Sequence, residues 1–432
     1  MRPTIKRLAT AFSIFLFGLC GTSPASAQAD DGPIEYIVRK GDTLISLGQR
    51  YFLSPQSYKM VAQQNRIANP HKIPVGKKLA IARHLLKFRA ASAELIAVRG
   101  RVTLGESTAI TGQKLQEGAA IATGPSSFAT MMLDDGSRVS LPSNSAIRIR
   151  RLRTYVLGGI LDYDFDVERG GVRSSVVKQK STDDRYRVRT PKAVSAVRGT
   201  DFQSRFDPET QNDFAEVVEG ALSVDAGDAN ARALPAGNGL AVTADGGVIT
   251  EALLGPPEIL QSGKLQSDDM VSFVAARAIP VRYTIAADSG FIEQIADSIA
   301  PDGKALFAGL ADGNYFGRAR AISATGIQGL PATFTFKRRL NSISGSAGKE
   351  DQGFVFRWRA EGSGLKRYHF QLFRNSTDSV AFVDEAGLDA TMVTLSDLPL
   401  ADYFWRVGSV QYGEAEVAIS WTPLEKIAVS SP

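Results

Sequence analysis

Cysteine and histidine are nearly missing from this chain of 432 residues, which has one Cys and three His. The single cysteine, Cys20, ends an apolar run from Leu8 that follows Arg2, Lys6 and Arg7 and precedes Ala25-Ser26-Ala27. Basic, then apolar, then small-x-small is the order of a secretory leader, so residues 1–27 are read as a signal peptide and Gln28 as the first exported residue. Leu19 stands before Cys20 where a lipid-attachment box has a small residue, so lipidation is not expected. The exported part then holds no thiol, so no disulfide supports its cores and no cysteine transpeptidase nucleophile is present. His71, His84 and His369 stand apart, without the short His and carboxylate spacings of a zinc peptidase. No metal and no other cofactor is expected.

Long apolar runs and strong charge are missing too. The run Leu8 to Cys20 falls short of the roughly 20 residues a membrane helix needs, and nothing comparable comes after it, so the mature chain should carry no transmembrane segment. The formal charge is +5, and loss of the three leader cations leaves about +2, too little to argue for nucleic acid. No glycine-rich phosphate loop adjoins a Lys-Ser or Lys-Thr pair. A glycosidase needs only two suitably spaced carboxylates, which sequence alone does not exclude, but the strand-rich texture of the chain contains no lysozyme-like helical stretch. An enzyme is not expected.

The residues that are present divide into segments. At about 100 to 200 residues per domain the chain should form several units. Tyr36-Ile37-Val38 reads as a strand, Gly41-Asp42 as a turn that also caps the first helix, and Thr43 to Tyr51 and Pro55 to Asn65 as two short helices. Lys78-Leu79-Ala80-Ile81 closes this βααβ unit, and the basic stretch Arg83 to Arg89 reads as a linker. From Ile34 to Ala90 there are eleven Lys/Arg against Glu35 and Asp42, a balance that suits an anionic glycan or wall polymer or is simply a soluble basic face. From Glu94 to Val242 short alternating strands are broken by Gly and Asp turns, with Asp134-Asp135-Gly136-Ser137 as a hairpin turn. Asp162, Asp164, Asp166 and Glu168 alternate with Tyr163, Phe165 and Val167, which predicts an acidic, solvated strand edge, and the arginines at 148, 150, 151 and 153 predict a solvated basic face. Farther on, Leu310 to Arg318 lines up with Leu398 to Arg406 at a displacement of 88 residues, a period that suits two tandem β-sandwiches.

The segment from Ile34 to Ile81 resembles a LysM domain. It carries Tyr36-Ile37-Val38, Gly41-Asp42-Thr43-Leu44, Asn65, Asn69-Pro70, Ile73-Pro74, Gly76 and Leu79, while Phe52-Leu53-Ser54-Pro55 stands where that family has a short turn. The region from Glu94 to Val242 is similar to a FecR-type domain, through Val98-Arg99-Gly100-Arg101-Val102, Leu133-Asp134-Asp135-Gly136-Ser137, Arg198-Gly199-Thr200 and Glu219-Gly220. Typical FecR members are membrane-spanning regulators that relay a transporter's state to a sigma factor, but no matching span is found here, so an extracytoplasmic interaction module is expected instead. The repeats look like fibronectin type III sandwiches, with Tyr315 and Tyr403 at strand corners, hydroxyls on backbone, and Trp358 and Trp405 in the cores. Arg198 is expected to pair with Glu219 or to meet a partner, and His369 is read as structural.

The fold class is therefore multidomain: a small α+β (βααβ) LysM module, an all-β FecR-like domain and two tandem β-sandwich domains. The expected boundaries are a leader at 1–27, then 34–82, 94–242, 253–338 and 343–426. The LysM resemblance implies a groove for N-acetylglucosamine chains, peptidoglycan first, built by Gly41, Asp42, Thr43, Leu44, Asn69, Pro70, Lys72 and Ile73. Loop amides there would pair with acetamide N–H and C=O groups, whose unpaired burial costs about 1 to 3 kcal/mol, so N-acetyl sugars would be preferred over plain hexoses. The expected function is an exported, periplasmic or envelope-associated tether that binds the wall through this groove and an envelope protein through its β domains. The alternatives are a periplasmic sensor or regulator working through the FecR-like domain, and a surface adhesin.

Overall fold

The computed structural model describes residues 32–197, 199–227, 231–260, 262–378, 380–413 and 417–429. The expected leader at 1–27 and Arg198 lie outside them.

The N-terminal unit is a two-stranded antiparallel sheet, Ile34–Ile37 against Lys78–Ile81, with helices Leu44–Tyr51 and Tyr58–Gln64 packed on it. Leu44, Leu47, Phe52, Val61, Ile73, Leu79 and Ile81 form its core. The second helix begins later than the sequence predicts, because Pro55–Ser57 is a separate 3-10 turn. Thr43, not the Gly41-Asp42 turn, caps the first helix: its hydroxyl accepts the Ser46 N–H and the Ser46 hydroxyl accepts its N–H, both at 3.0 Å. Gly48 sits where the 3-10 turn presses on that helix, and a Cβ there would lie 2.7 Å from the Pro55 carbonyl oxygen.

The basic stretch expected to be a linker is instead a weld. Leu85 and Leu86 are buried with these helices, and the same core continues into Tyr155, Leu157 and Ile160 of the FecR-like region. Leu53 N–H donates to the Leu85 carbonyl (2.8 Å), Lys87 N–H donates to that of Tyr51 (2.7 Å), and Phe88–Ala90 pairs with Ala146–Tyr155. The Phe52-Leu53 segment, which lengthens the connection between the helices, is what grips this strand. Composition misleads here because Leu85 and Leu86, set among cations, are buried, while His84 and Arg89 beside them keep their polar ends in water.

Residues from Ala93 to Ala252 form a closed all-β body of two layers, with Ala129, Met131, Val139, Ile147, Tyr186 and Val188 in one core. The hairpin at 134–137 forms as expected, joining Phe128–Leu133 to Arg138–Leu141. The long strand Leu161–Ser175 passes from one layer to the other: its first half pairs with Ala146–Tyr155 and Arg185–Arg189, its second with Arg138–Leu141 and Asp201–Asp207. Its alternation is as expected, with Tyr163, Phe165 and Val167 in the core, but its acidic face is not a solvated edge. Arginine rows flank it on both sides, and Asp162 and Asp164 are fully buried. Arg187 contacts both at 3.2 and 3.1 Å, Arg189 holds Asp164 at 2.8 Å, and Arg151 reaches Asp162 at 3.5 Å. The arginines at 148, 150 and 153 likewise pair with Glu168, Asp166 and Glu117. Buried carboxylates need such partners, and only the strand order supplies them.

Two β-sandwiches complete the chain. The first packs a five-stranded sheet, running from Leu265–Gln266 through Ala332–Arg338, Gly313–Ala321 and Val281–Ala286 to Gln294–Ala300, on the pair Val271–Val274 and Lys304–Phe307. The second sets Ile343–Glu350, Gly353–Ala360 and Met392–Leu395 against a sheet centred on Leu365–Arg374 and Ala401–Tyr412. The tyrosines behave as expected: Tyr315 donates to the Ala311 carbonyl and Tyr403 to that of Pro399, both at 2.9 Å, and Trp358 and Trp405 are buried. His369 pairs with Asp384 and lies against Trp421, in line with a structural part.

Candidate functional site

Two loops meet at one end of the βααβ unit. Gly41 turns the chain at φ +90°, a left-handed conformation that glycine adopts without strain, and Thr43 then starts the helix. From the other side Asn69 folds its own loop by accepting the His71 N–H on its side chain (2.9 Å) and the Lys72 N–H on its carbonyl (3.2 Å). The Leu44 N–H donates to the Pro70 carbonyl at 2.9 Å, which fastens the two loops side by side.

The eight residues named from sequence are therefore together, but they divide by burial. Gly41, Asn69 and Lys72 are exposed, Asp42, Thr43 and Pro70 are half-buried, and Leu44 and Ile73 belong to the core beneath. Asp42 is occupied internally. Its carboxylate accepts the Tyr36 hydroxyl at 2.6 Å and the Arg39 N–H at 2.8 Å and pairs with Arg50 at 2.6 Å, leaving its side chain only 6% exposed. Burial works to raise the Asp42 carboxyl, but these three donors outweigh it and hold the group below its ordinary range. Burial and the same carboxylate push the Tyr36 phenol up to about 12. Sequence reading misses Tyr36 and Arg50 as the groups that hold this turn, since Tyr36 lies on the first strand, Asp42 in the turn and Arg50 on the first helix, so no single period relates them. Lower on the unit, Asn65 ties the second helix to the closing strand: its side chain donates to Val61 and Ala80 carbonyls and accepts the Ala80 N–H.

Residues 36–82 match the LysM domain model. Residues 119–223 match that of the FecR protein. The loops 41–44 and 69–73 thus lie within the LysM segment, and the arginine and carboxylate ladder, apart from Glu117, lies within the FecR segment. No curated protein matches the chain. Among solved structures the chain is similar to a putative anti-sigma factor from Parabacteroides distasonis, at 18% identity over 31% of this chain and 59% of that one, TM-score 0.27. It is also similar to a two-domain fibronectin type III segment of chicken tenascin, at 17% identity over 38% of this chain and 96% of that one, TM-score 0.20. The chain spans 59% of the length of the first of these.

LysM and FecR segments are binding or regulatory modules, and the LysM match implies affinity for a glycan such as peptidoglycan. Among the described residues no group of three or more His, Cys, Asp or Glu is placed to hold a metal ion, and no helix is long and apolar enough to cross a membrane.

Proposed function

We propose that the chain is an exported envelope tether whose LysM groove, built by Gly41, Asp42, Thr43, Leu44, Asn69, Pro70, Lys72 and Ile73, binds N-acetylglucosamine chains of peptidoglycan, and whose β domains bind another envelope component. The observation that carries this is the Leu44 to Pro70 backbone bond, which sets two loops carrying the exposed residues Gly41, Asn69 and Lys72 next to each other inside the segment matched to LysM. Leu44 and Ile73 pack beneath the loops and Asp42 braces the turn, while Gly41, Asn69 and Lys72 are left to meet the sugar. A shallow groove of this kind, present once, gives affinity in the micromolar to millimolar range unless a second domain also engages the wall.

A sensor or regulator role through the FecR segment is the second reading. The weld between the two segments favours it, because whatever orients the LysM segment also orients the β body behind it.

The test is sedimentation with purified insoluble peptidoglycan, using Asn69→Ala with Lys72→Glu rather than removal of residues 34–82, which would strip the cover from Tyr155, Leu157 and Ile160. Wild type should sediment, soluble N-acetylglucosamine oligomers should release it, and the double variant should stay in solution while still folded, its melting temperature lowered only by the loss of the exposed Asn69 to His71 bond. Equal sedimentation of both proteins, insensitive to the oligomers, sinks the groove assignment.

A further inference from the structure

The first sandwich meets the FecR segment along a polar seam. On the sandwich side Arg282 stands directly across from Arg320, and Thr284 across from Arg318, between the antiparallel strands Val281–Ala286 and Gly313–Ala321. Like charges in that position repel each other. On the opposite side Ser140 faces Arg173 and Arg173 faces Gln203. Hydrogen bonds close the seam at both ends: Thr130 donates to the Ile292 carbonyl (2.9 Å), and Arg205 donates to that of Gly326 (2.7 Å). Between these faces lie two small cavities of about 40 and 50 Å³ that share Ser140, Arg173, Gln294 and Arg318. Arg282 and Arg320 line the first and Arg138 the second.

Two of these arginines have carboxylate partners. Arg173 forms a bidentate pair with Asp201 at 3.0 and 2.6 Å, and Arg282 contacts Asp297 at 2.5 Å, whose other oxygen accepts the Ser143 hydroxyl. Arg318 and Arg320 have no carboxylate within ion-pair distance among the described residues. Arg320 is 4% exposed, its Nη1 reaches only the Gly329 carbonyl at 3.4 Å, and its Nη2 has no hydrogen-bond partner. Arg318 lies over the Phe291 ring at 3.6 Å and its Nε also lacks an acceptor. Burial lowers the Arg320 guanidinium to about 10. Glu216, the next carboxylate, already accepts from Arg205 and from the Gln328 N–H. A cation taken out of water without a counter-ion is strongly penalised, and a guanidinium fork matches the oxygens of a tetrahedral anion.

We propose that this seam binds a small oxyanion of the phosphate or sulfate type, with Arg320 and Arg318 as its charge partners and Arg282, Gln294 and Ser140 around it. The cavities are larger than the 10 to 15 Å³ or so that one water needs and too small for a sugar ring, which sets the class of ligand. The site is separate from the LysM groove and does not depend on it. The occupant is either the free inorganic ion or the phosphate end of a larger monoester, both of which present the same oxygens.

Equilibrium dialysis of the full exported chain against radiolabelled inorganic phosphate should give saturable binding of one ion per chain. Melting curves at matched ionic strength should rise by several degrees in phosphate or sulfate over chloride, and binding should weaken at least tenfold in both Arg320→Gln and Arg318→Gln. The second variant is less buried and protects the test if the first fails to fold. Glycerol 1-phosphate in place of phosphate distinguishes the sources: binding as tight as phosphate assigns a monoester end, and no binding assigns the free ion. Absence of saturable phosphate binding in the wild type, or the same affinity in Arg318→Gln, overturns the proposal.

Discussion

Leu157→Ala is the most direct probe of the weld, because Leu157 is distant in sequence from the LysM segment yet buried in its core with Leu85, Leu86, Tyr155 and Ile160. Truncating a buried leucine costs about 2 to 5 kcal/mol, the spread reflecting how far the site collapses. If the LysM segment and the FecR body share one core, that loss must appear in the helices of the LysM segment. At about 1.4 kcal/mol per factor of ten, even the lower figure speeds hydrogen exchange from the globally opened state by roughly 30-fold. The amides to monitor are Leu47, which donates to the Thr43 carbonyl, and Asn65, which donates to that of Val61. Val407→Ala, in the core of the second sandwich, serves as the control and should leave both unchanged. Native-state exchange on the intact chain decides the matter: if Leu157→Ala destabilises the FecR segment while Leu47 and Asn65 exchange at the wild-type rate, the two segments open independently and the shared core has no energetic meaning.

Other substitutions read single interactions. Thr43→Ala removes half of the capping box with Ser46 and should lower the urea stability of the LysM segment by about 1 kcal/mol. Asp42→Ala should bring the Tyr36 phenol down from about 12, seen as tyrosinate absorbance appearing at lower pH. Because the Asp42 carboxyl sits below its ordinary range when folded, its stabilisation is present above the unfolded value and lost as pH falls through the folded one. Urea curves of wild type and Asp42→Ala should therefore differ at neutral pH and converge in acid; a constant difference at every pH would show that the carboxylate charge is not what holds the turn. Asp164→Ala takes away the acceptor shared by Arg187 and Arg189, and breaking a buried pair in this way should cost about 3 to 5 kcal/mol in the thermal unfolding of the β body.

Local pattern carries much of the architecture. The alternation of Ala129, Met131 and Leu133 places those residues in a core, and the 88-residue displacement finds both sandwiches together with their corner tyrosines. The two loops of the candidate groove are also legible, since turn residues at fixed offsets mark them. Pairing between distant strands is not. The acidic face of Leu161–Ser175 is visible as a face, but whether it meets water or arginine depends on which strands flank it, and Arg185–Arg189 arrives there in parallel after an excursion from the opposite layer. Of the five arginines lining the seam cavities, Arg318 and Arg320 share one strand face, but Arg138, Arg173 and Arg282 come from distant strands that no period relates to them.

The same limit explains why the stretch after Ile81 reads as a linker, and the difference bears on function. A flexible connection there would let a wall-bound LysM segment swivel freely, so that the β domains would be concentrated near the wall without being aimed. The structure replaces that freedom with strand pairing from Phe88 to Ala90, backbone bonds from Leu53 and Lys87, and a continuous core. Continuity extends farther, because the next junction is also hydrogen-bonded, through Thr130, Ser143 and Arg205, and the two sandwiches are joined in turn where the Asn341 N–H donates to the Ser267 carbonyl (2.8 Å) and the Ser363 hydroxyl donates to the Asp312 carboxylate (3.0 Å), Asn341 also holding the Ser409 and Ala418 carbonyls of the second sandwich. A chain joined at each step in this way presents its far sandwiches in a fixed direction from the loops at 41–44 and 69–73. For a tether that favours a partner with a defined distance and orientation from the glycan, and an unattached pool of partners would gain nothing from it.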